Sequence, residues 1–541
     1  MENDKRSQIA ELNKLASTII QDPIHSNQII RFIDALANLK NSNAEDSYIE
    51  TLIRCVAKIF NFFIDSREWV LSNDTDSESK AINSYKSYLI GWYDIVIDEL
   101  LKIVSNEGKA KFSLNIQKLA LTTLIKFVEE EGKFPFRPAS TEQEFNFPSQ
   151  FFSAIIRSLL SETTYNQELI AEFVKYYQYD DVIHFTLKAL LEQIDSYQQT
   201  DNSFIAQNIV DLIFPIRLIT PKDLLPKSLR AESKEKKKRK RSKGAQIGGR
   251  EHTNFMRLCE LQSYADSKNK NPIRLPSYRF KFDYVRDAKL YSTVWVKYLY
   301  FELQPATYKR VLVYLDKYAI QHFENPLLLA NFLTRSFAVG GIISLLSLSP
   351  LYTLIHKCNF DYPNFFAHLY QLLQPAITYV KYRARFLFWA DLFLTSTHIS
   401  SQIVAAFAKQ LARLALTSPP DTILIILPFI GNLFIRHPIT QSILNAPTFE
   451  PERDPFLETE TNPEKSNAID SYMWELKALQ SHYLPEIAQL AKQICEDLPA
   501  FEWNLADVLE TNMDDVVENA KKTVKADKFT YDVSCDLFNT L

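Results

Sequence analysis

The sequence predicts an all-α fold: an α-solenoid of HEAT- or armadillo-like antiparallel helix pairs, in two halves joined by a basic disordered linker. Apolar residues recur at the 3–4 spacing of amphipathic helices along most of the 541 residues. Glycine is scarce, with 9 residues, which disfavours β-rich folds and phosphate-binding loops because both need glycine turns. Short polar joints place consecutive helices antiparallel. The amino-acid sequence shows no strict repeat, so the prediction of a solenoid rests on the spacing of the helices.

The first half, residues 1–225, is predicted to be a helical repeat domain. An apolar stripe over residues 9–19 ends before Pro23, which cannot continue a helix. Ser26 is a candidate N-cap for the next helix. Residues 65–81 are polar and acidic and predict a loop. The remaining helices of this half are predicted at residues 29–39, 49–63, 85–101, 114–128, 151–160, 169–177, 182–194 and 205–219.

A basic run interrupts the helical pattern and predicts a disordered linker over residues 226–274. Residues 231–250 read AESKEKKKRKRSKGAQIGGR. So many like charges cannot all be neutralised in a packed helix, and their mutual repulsion favours disorder. The cations of this run are Lys234, Lys236, Lys237, Lys238, Arg239, Lys240, Arg241 and Lys243.

Three interpretations of the basic run stay open. It can be a nuclear import signal, which carriers bind as an extended basic peptide. It can bind RNA phosphates, with an affinity that falls as salt rises. It can also be a solvated linker without either role. No aromatic residues alternate with the cations, which argues against sequence-specific RNA recognition. Because the net charge is −4, any attraction to nucleic acid must be local.

The second half is predicted to contain a helical domain over residues 275–500 and a short C-terminal segment over residues 501–541. Residues 447–465 are acidic and proline-containing and predict a solvated loop. The uncharged stretch at residues 337–355 is close to the length that spans a bilayer. Its glycines and proline favour a buried solenoid helix, with nuclear-membrane association as the alternative. Helices are predicted at residues 291–300, 308–320, 327–337, 341–348, 351–356, 362–373, 379–394, 403–416, 423–435, 466–483 and 486–497.

Motifs of enzyme and metal chemistry are missing from the sequence. It contains no nucleotide-binding loop, zinc-protease motif or serine-hydrolase motif. His356 and Cys358 resemble a metal-binding pair, but no second pair lies near them in sequence, so a structural zinc is not expected. The five cysteines are widely spaced, which fits a reducing compartment. We therefore predict no catalytic residue, no cofactor and no metal site.

The densest mixture of basic and aromatic residues lies at residues 379–394, YVKYRARFLFWADLFL. One interpretation is a contact with RNA or with a protein partner. The other, which we favour, is a core helix with a basic rim, in which Asp391 pairs with a neighbouring cation. The candidate contact residues, together with a second tryptophan further along the chain, are Lys381, Arg383, Arg385, Trp389 and Trp474.

Three long segments around this helix carry a family resemblance. They are GGIISLLSLSPLYTLIHKCNFDYPNFFAHLYQLL, VKYRARFLFWADLFLTSTHIS and IVAAFAKQLARLALTSPPDTILIILPFIGNLFIRHP. They closely resemble the CCAAT-binding-factor domain of the nucleolar complex proteins, and best the nucleolar complex protein four family. The resemblance covers roughly residues 291–500.

The resemblance implies a nuclear, nucleolar and non-catalytic scaffold factor for small ribosomal subunit production. It implies a stable pair with nucleolar protein fourteen, a place in the small-subunit processome, and support of 18S rRNA maturation and pre-ribosome export. Contact with pre-rRNA, direct or indirect, stays open. The alternative is a direct nucleic-acid-binding regulator of the CCAAT-binding-factor type, although no DNA-reading module is recognisable in the sequence.

Overall fold

A computed structural model shows that the chain folds into helices and that none of its described residues lies in a strand. It divides the chain into two compact units, Met1–Asn325 and Pro326–Leu541. The residues that the structure describes are 2–21, 23–39, 45–65, 77–106, 111–133, 147–162, 164–197, 203–218, 280, 282–380, 382–396, 398–445, 454–496, 498–509 and 512–523.

The first unit is a series of α-helices with short 3-10 segments at Pro23–Gln28, Lys175–Gln178 and Ile320–His322. A π-turn, Leu315–Ala319, extends the last helix. The helices are α1 (Glu2–Gln21), α2 (Ile29–Asn38), α3 (Asp46–Asp65), α4 (Ser77–Ser105), α5 (Leu114–Lys133), α6 (Ser149–Leu159), α7 (Gln167–Val174), α8 (Asp180–Tyr197), α9 (Ser203–Ile213), α10 (Tyr284–Tyr298) and α11 (Pro305–Tyr314).

The helices of the first unit stack in two layers. In one layer α1 packs on α3, α3 on α5, α5 on α7 and α7 on α9. In the other, α2 packs on α4, α4 on α6, α6 on α8 and α8 on α10. Helices α4 and α5 join the two layers. Contact between every second helix is the arrangement of an α-solenoid, so the predicted fold class is confirmed.

Two local predictions in the first unit need correction. Helix α4 begins at Ser77, inside the predicted loop, because backbone hydrogen bonds can extend a helix beyond its apolar stripe. Ser26 does not cap α2; the N-cap residue is Gln28, and the Ser26 hydroxyl accepts a hydrogen bond from the Tyr85 hydroxyl at 2.9 Å. Residues 66–76 of the predicted loop and the whole predicted basic linker, residues 226–274, lie outside the described residues.

Helix α10 belongs to the first unit, which moves the division of the chain from the predicted residue 275 to residue 325. The buried Asp287 of α10 lies 2.6 Å from Nδ1 of His184 on α8. On the adjoining helix, α11, Arg310 binds Asp211 of α9 at 2.9 Å. The sequence predicted a domain boundary at the basic run, where the composition changes. In the structure, the helices after the basic run pack on the same stack of helices as those before it.

The second unit is built around α17, which is buried on all sides from Asp421 to Phe434. Helix α16 packs along it, and α19, α20 and α21 also contact it. The α-helices are α12 (Ala330–Ala338), α13 (Gly341–Cys358), α14 (Phe365–Gln371), α15 (Arg383–Phe393), α16 (Ser401–Thr417), α17 (Pro420–Arg436), α18 (Trp474–Leu479), α19 (Pro485–Glu496), α20 (Leu505–Leu509) and α21 (Met513–Thr523). Short 3-10 segments lie at Pro326–Leu329, Pro375–Tyr379, Pro438–Asn445, Pro463–Lys465 and Ala468–Asp470.

The uncharged stretch at residues 337–355 forms a hairpin of two helices instead of one long helix. Gly340 and Gly341 both have positive φ, of 89° and 64°, and separate α12 from α13. The buried Ser344 hydroxyl donates to the Phe337 carbonyl at the turn. In the described ranges, no helix combines the length and the hydrophobicity needed to cross a bilayer.

A glycine on α17 lets the chain after α19 pack against this helix. A Cβ atom on Gly431 would lie 2.1 Å from Cζ3 of the Trp503 ring, far inside van der Waals contact. The Asn432 side chain exchanges two hydrogen bonds with the Trp503 backbone, at 2.8 and 2.9 Å. The indole therefore packs directly on the α17 backbone.

We expect Gly431→Ala to destabilise the second unit by about 1–3 kcal/mol, because the new methyl group must displace the Trp503 ring. Urea unfolding followed by circular dichroism measures the change. Gly91→Ala is the matched control, because a Cβ at Gly91 meets nothing within 4 Å. The control is expected to stabilise α4 by up to about 1 kcal/mol. Equal stability of Gly431→Ala and the wild type would contradict the packing described here.

Candidate functional site

The predicted basic and aromatic helix is α15, which begins at Arg383. The chain before it forms the 3-10 segment Pro375–Tyr379, so the predicted start at residue 379 is too early. One side of α15 is buried and includes Phe386, Leu387 and Phe393. This side fixes the helix against the core and turns the other side outward.

The outward side of α15 joins α13 in a partly exposed aromatic surface. Phe388 is 44% exposed, and its ring lies 5.4 Å from that of Trp389. Tyr352 of α13 lies 5.4 Å from Trp389 and 4.1 Å from His356, between ring centroids. Arg385 is exposed on the same helix, three residues before Phe388. We call Tyr352, His356, Arg385, Phe388 and Trp389 the α13–α15 aromatic surface.

Two ion pairs hold α15 on α17. Arg383 binds Asp421 at 2.5 Å, and Asp391 binds Arg436 at 2.7 Å, with all four side chains largely buried. The pairing expected for Asp391 is therefore present. Burial raises the pKa of Asp391, although hydrogen bonds from Arg436 oppose this shift. Arg436 also binds Glu502, and this hydrogen bond lowers the pKa of the Glu502 carboxyl.

A buried lysine, Lys409 on α16, organises the other half of the second unit. Its side chain is 0% exposed, as is that of Glu475 on α18, which it contacts at 2.9 Å. Its ammonium also lies 3.0 Å from Asp454 and donates to the Tyr472 carbonyl at 2.6 Å. These acceptors match the three donors of an ammonium group, which makes burial of the charge tolerable. Arg413, one turn along α16, lies 3.2 Å from Glu475.

Aromatic rings surround the Lys409 ammonium. It lies 5.9 Å from the ring centroid of Phe456, 5.5 Å from that of Tyr472 and 5.7 Å from that of Trp474. These distances are within the range of cation–π attraction. The indole nitrogen of Trp474 donates to Asp454 at 3.1 Å. The Lys409 cluster is therefore Lys409, Arg413, Asp454 and Glu475 with these three rings.

The cluster corrects two predictions about the chain between α17 and α19. The described part of the acidic insert, residues 454–465, is a loop that is solvated only in part: most of its residues are exposed, but Asp454 joins the cluster and Phe456 is only 5% exposed. The predicted helix at residues 466–483 is only the 3-10 segment Ala468–Asp470 and α18. The ion pair between Lys409 and Asp454 holds this segment in place. The spacing of apolar residues cannot predict a pair between residues so far apart in sequence.

The two carboxylates of the cluster respond oppositely to their surroundings. Burial raises the pKa of Glu475 despite the nearby Lys409. Burial also acts upward on Asp454, but hydrogen bonds from Ser471, Lys409 and the Phe456 backbone outweigh it and lower its pKa. Asp454 therefore stabilises the fold above its unfolded-state pKa, and this contribution is lost as the pH falls through its lower folded-state pKa.

The predicted site residues do not form one site. Arg383 serves an internal ion pair, and Trp474 lines the Lys409 cluster. Arg385 and Trp389 lie on the α13–α15 aromatic surface. Lys381 and the basic run Lys234–Lys243 lie outside the described residues, so their predicted contacts stay predictions. Lys409 is not among the predicted site residues, although a lone lysine in the alanine- and leucine-rich α16 indicates a buried pair.

The structure gives no sign of a metal centre in its described part. No group of three or more His, Cys, Asp or Glu side chains there is arranged to hold a metal ion. His356, one half of the apparent metal pair, instead packs against the Tyr352 ring.

Known protein families match both units. Residues 2–199 match the model "Nucleolar complex protein 4-like, TPR repeats", and residues 344–491 match the CBF/Mak21 family. Nucleolar complex protein 4 homolog B of Xenopus laevis is 30% identical over 519 residues, covering 95% of this chain and 90% of the relative. The Mus musculus homolog is 31% identical over 524 residues, with 95% and 92% covered. This chain belongs to the nucleolar complex protein 4 family.

Nucleolar complex protein 4 of Saccharomyces cerevisiae is 38% identical over 255 residues, 43% of this chain and 46% of the relative. Membership in the nucleolar complex protein 4 family confirms the resemblance seen in the sequence and the nuclear, nucleolar location. It also gives the chain a role in nucleolar ribosome biogenesis. The family description assigns the repeats of α1–α8 to the TPR type, in place of the HEAT or armadillo type named from helix spacing.

The CBF/Mak21 match includes both features of the second unit described above. It begins within α13 and ends within α19, and so contains the α13–α15 aromatic surface and the Lys409 cluster. In this nucleolar complex protein 4 family member, buried ion pairs position helices α15 to α18, and the α13–α15 aromatic surface is partly exposed.

We expect Lys409→Met to cost about 3–5 kcal/mol in unfolding free energy, because it leaves Glu475 and Asp454 buried without their main counter-ion. Urea denaturation of the full chain measures the loss. Lys492→Met is the matched control: Lys492 forms an exposed pair with Glu496 at 3.7 Å, and such pairs contribute little. Similar stability of the two variants would show that the buried pair does not hold α16 to α18.

Proposed function

We propose that this chain is a non-catalytic assembly and scaffold factor of small ribosomal subunit biogenesis. It acts as a heterodimer with nucleolar protein fourteen in the small-subunit processome, and so supports 18S rRNA maturation and pre-ribosome export. Family membership supports the ribosomal setting. The finer assignment follows the sequence resemblance, and the α13–α15 aromatic surface gives it a physical basis.

The α13–α15 aromatic surface has the properties of a protein-binding anchor. Tryptophan, tyrosine and arginine are enriched among the residues that dominate interface energies. Here Trp389 and Tyr352 are half-buried and in contact, so little side-chain freedom remains to be lost on binding. The Arg383–Asp421 and Asp391–Arg436 pairs hold α15 in place.

The charged groups support a structural role. Catalysis needs titratable groups with displaced pKa values that converge on an open cleft. In the second unit, the fully buried Lys409 and Glu475 instead bind each other, and aromatic rings surround the Lys409 ammonium. The partly buried Asp391 and Arg436 likewise form a pair.

Direct nucleic-acid binding is the second candidate function. The exposed Arg385 beside Phe388 favours it, because guanidinium and aromatic groups together bind single-stranded nucleic acid by charge and stacking. Arg385 and Phe388 would in that case contact the nucleic acid directly, either as part of a regulator of the CCAAT-binding-factor type or in a complex with pre-rRNA. If this surface binds a protein, recovery of the partner should survive ribonuclease treatment. If it binds RNA that bridges to the partner, recovery should be lost.

Affinity purification of the tagged full chain from nuclear extracts, with and without ribonuclease, tests the partner. We expect nucleolar protein fourteen to be recovered equally in both arms, because the proposed contact is between proteins. The variant Phe388→Ser/Arg385→Ser is expected to reduce recovery at least fivefold. Tyr483→Ser, which changes a 74% exposed aromatic elsewhere in the second unit, is the matched control.

Two results would count against the proposed heterodimer. Recovery that vanishes after ribonuclease treatment would favour the RNA platform. Full recovery by the double variant would remove the α13–α15 aromatic surface from the interface. Circular dichroism of both variants is expected to match the wild type, because Phe388, Arg385 and Tyr483 are all exposed.

Replacement of the basic residues 236–241 by alanine is expected to move the protein to the cytoplasm, because import carriers bind extended runs of cations. Fluorescence microscopy of the tagged chain measures the shift. Replacement of Lys309, Lys317 and Lys357, which removes scattered cations, is the control. A variant that stays nucleolar would indicate import on a partner or through another signal.

A further inference from the structure

The chain after α19 crosses α17 and is held there through the backbone of one residue. We call its described residues 498–509 the Trp503 segment. The Asn432 side chain accepts a hydrogen bond from the Trp503 backbone N–H at 2.8 Å and donates one to the Trp503 carbonyl at 2.9 Å. A carboxamide carries both a donor and an acceptor, so it can bind both backbone groups of one residue. These two bonds set no condition on the side chains of the bound segment.

Three side chains of the Trp503 segment add specificity. The Trp503 ring occupies the space that a Cβ atom at Gly431 would fill. The carboxylate of the preceding residue, Glu502, lies 2.7 Å from Arg436. Leu505, two residues after the tryptophan, is 8% exposed and belongs to α20, which packs on α15 and α17. The bound pattern is therefore an acid, a tryptophan and, two residues later, an apolar residue.

The groups that receive this segment belong to the buried part of the second unit. Helix α17 is buried on all sides, and its Asn432 is 1% exposed. Asp391 of α15 binds Arg436 at 2.7 Å from another side. We call Gly431, Asn432 and Arg436 the α17 notch. Because helix packing and Asp391 fix these groups, their positions do not depend on the segment that fills the notch.

The Trp503 segment itself lies at the periphery, as does the chain that follows it. Among the residues from 498 to 521 whose side chains are described, only Leu505 and Val516 are buried. A stretch with so few buried apolar side chains opens at a lower free energy than the core on which it packs. The notch can therefore change its occupant while the helices around it stay folded.

Two highly exposed apolar side chains flank the ion pair between Arg436 and Glu502. Phe501, directly before Glu502, is 85% exposed, and Ile439, three residues after Arg436, is 73% exposed. Exposed apolar groups that lie together mark interaction sites more often than single ones do. These two side chains offer a protein that approaches the α17 notch a second point of contact.

We propose that the α17 notch binds a partner protein through a segment with an acid, a tryptophan and, two residues later, an apolar residue. The Trp503 segment occupies the notch until such a partner segment displaces it. Covalent attachment gives the Trp503 segment an effective concentration on the order of millimolar. A partner that is also anchored elsewhere on the protein gains the same advantage and can compete. The inference concerns a site apart from the α13–α15 aromatic surface and does not depend on which partner binds there.

A segment of another protein fits the notch better than two other occupants. The Trp503 segment of a second copy has the same pattern, but α19 packs on α17 and ends at Glu496, seven residues before Trp503. This short connection keeps the segment beside its own notch and disfavours exchange between copies. Nucleic acid is disfavoured because Asp391 and Glu502 already neutralise Arg436 and would repel phosphates.

Fluorescence anisotropy with the full chain and a labelled peptide copy of residues 498–509, LPAFEWNLADVL, tests the notch. The peptide is expected to bind the variant Trp503→Ala at least tenfold more tightly than the wild type, whose own segment competes for the notch. Phe501→Ala is the matched control, because it removes a neighbouring exposed aromatic and leaves the indole in place. This control is expected to bind the peptide as weakly as the wild type does.

Changes in the peptide and in the notch test the specificity. Serine in place of the peptide's tryptophan, or lysine in place of its glutamate, is expected to weaken binding to Trp503→Ala at least tenfold. Serine in place of its phenylalanine is expected to change little. The double variant Gly431→Ala/Trp503→Ala is expected to lose the peptide, because the new methyl group fills the space for the indole. It has no indole of its own to displace, so it is expected to fold as Trp503→Ala does.

Thermal melts followed by circular dichroism check that the variants fold. Glu502→Ala removes a carboxylate that is 43% exposed and is a milder opening variant. Its affinity for the peptide is expected to lie between those of the wild type and Trp503→Ala. Equal affinity of the wild type and both opening variants, or peptide binding that survives loss of the peptide's tryptophan, would overturn the proposal. A wild-type dimer in sedimentation that Trp503→Ala dissociates would identify a second copy as the occupant and also overturn it.

Discussion

The first unit depends on the requirement that each helix pack on the helix two positions along the chain. A helix in such a stack contacts two neighbours in its own layer and at least one in the other layer, so its buried face is wide. This requirement explains why α8 buries residues around much of its circumference, from Asp180 to Ile194. It also explains how a two-layer stack of helices forms without a repeated sequence motif. Packing constrains only the width and position of each helix's apolar face.

The second unit relies more on buried charge. Apolar packing tolerates small shifts between helices, whereas an ammonium with three acceptors has one satisfactory position. Lys409 thereby fixes the register of α16 against α18 and the segment that contains Asp454. Arg383 and Arg436 do the same for α15 against α17. The aromatic rings at Tyr352 and Trp389 keep their relative positions because these pairs hold the helices that carry them.

Helical periodicity was enough to predict the fold class and most helices, because it reports the local requirement to bury one face. It could not report pairs distant in sequence. Thus Trp389 was recognisable as a candidate contact, but its neighbour Tyr352, on another helix, was not. The buried start of the acidic insert could not be predicted, because Asp454 has its counter-ion 45 residues earlier in the chain, at Lys409. The place of α10 in the first stack likewise depends on His184, far upstream.

The contact of α10 with α8 places the described residues on either side of the stretch 219–279 in one stack of helices. Both of its ends are anchored in the same stack, through Tyr314 on Ile216 and Asp287 on His184. A fragment that ends at residue 218 would therefore lack α10 and α11 and would expose the side of α8 on which α10 packs.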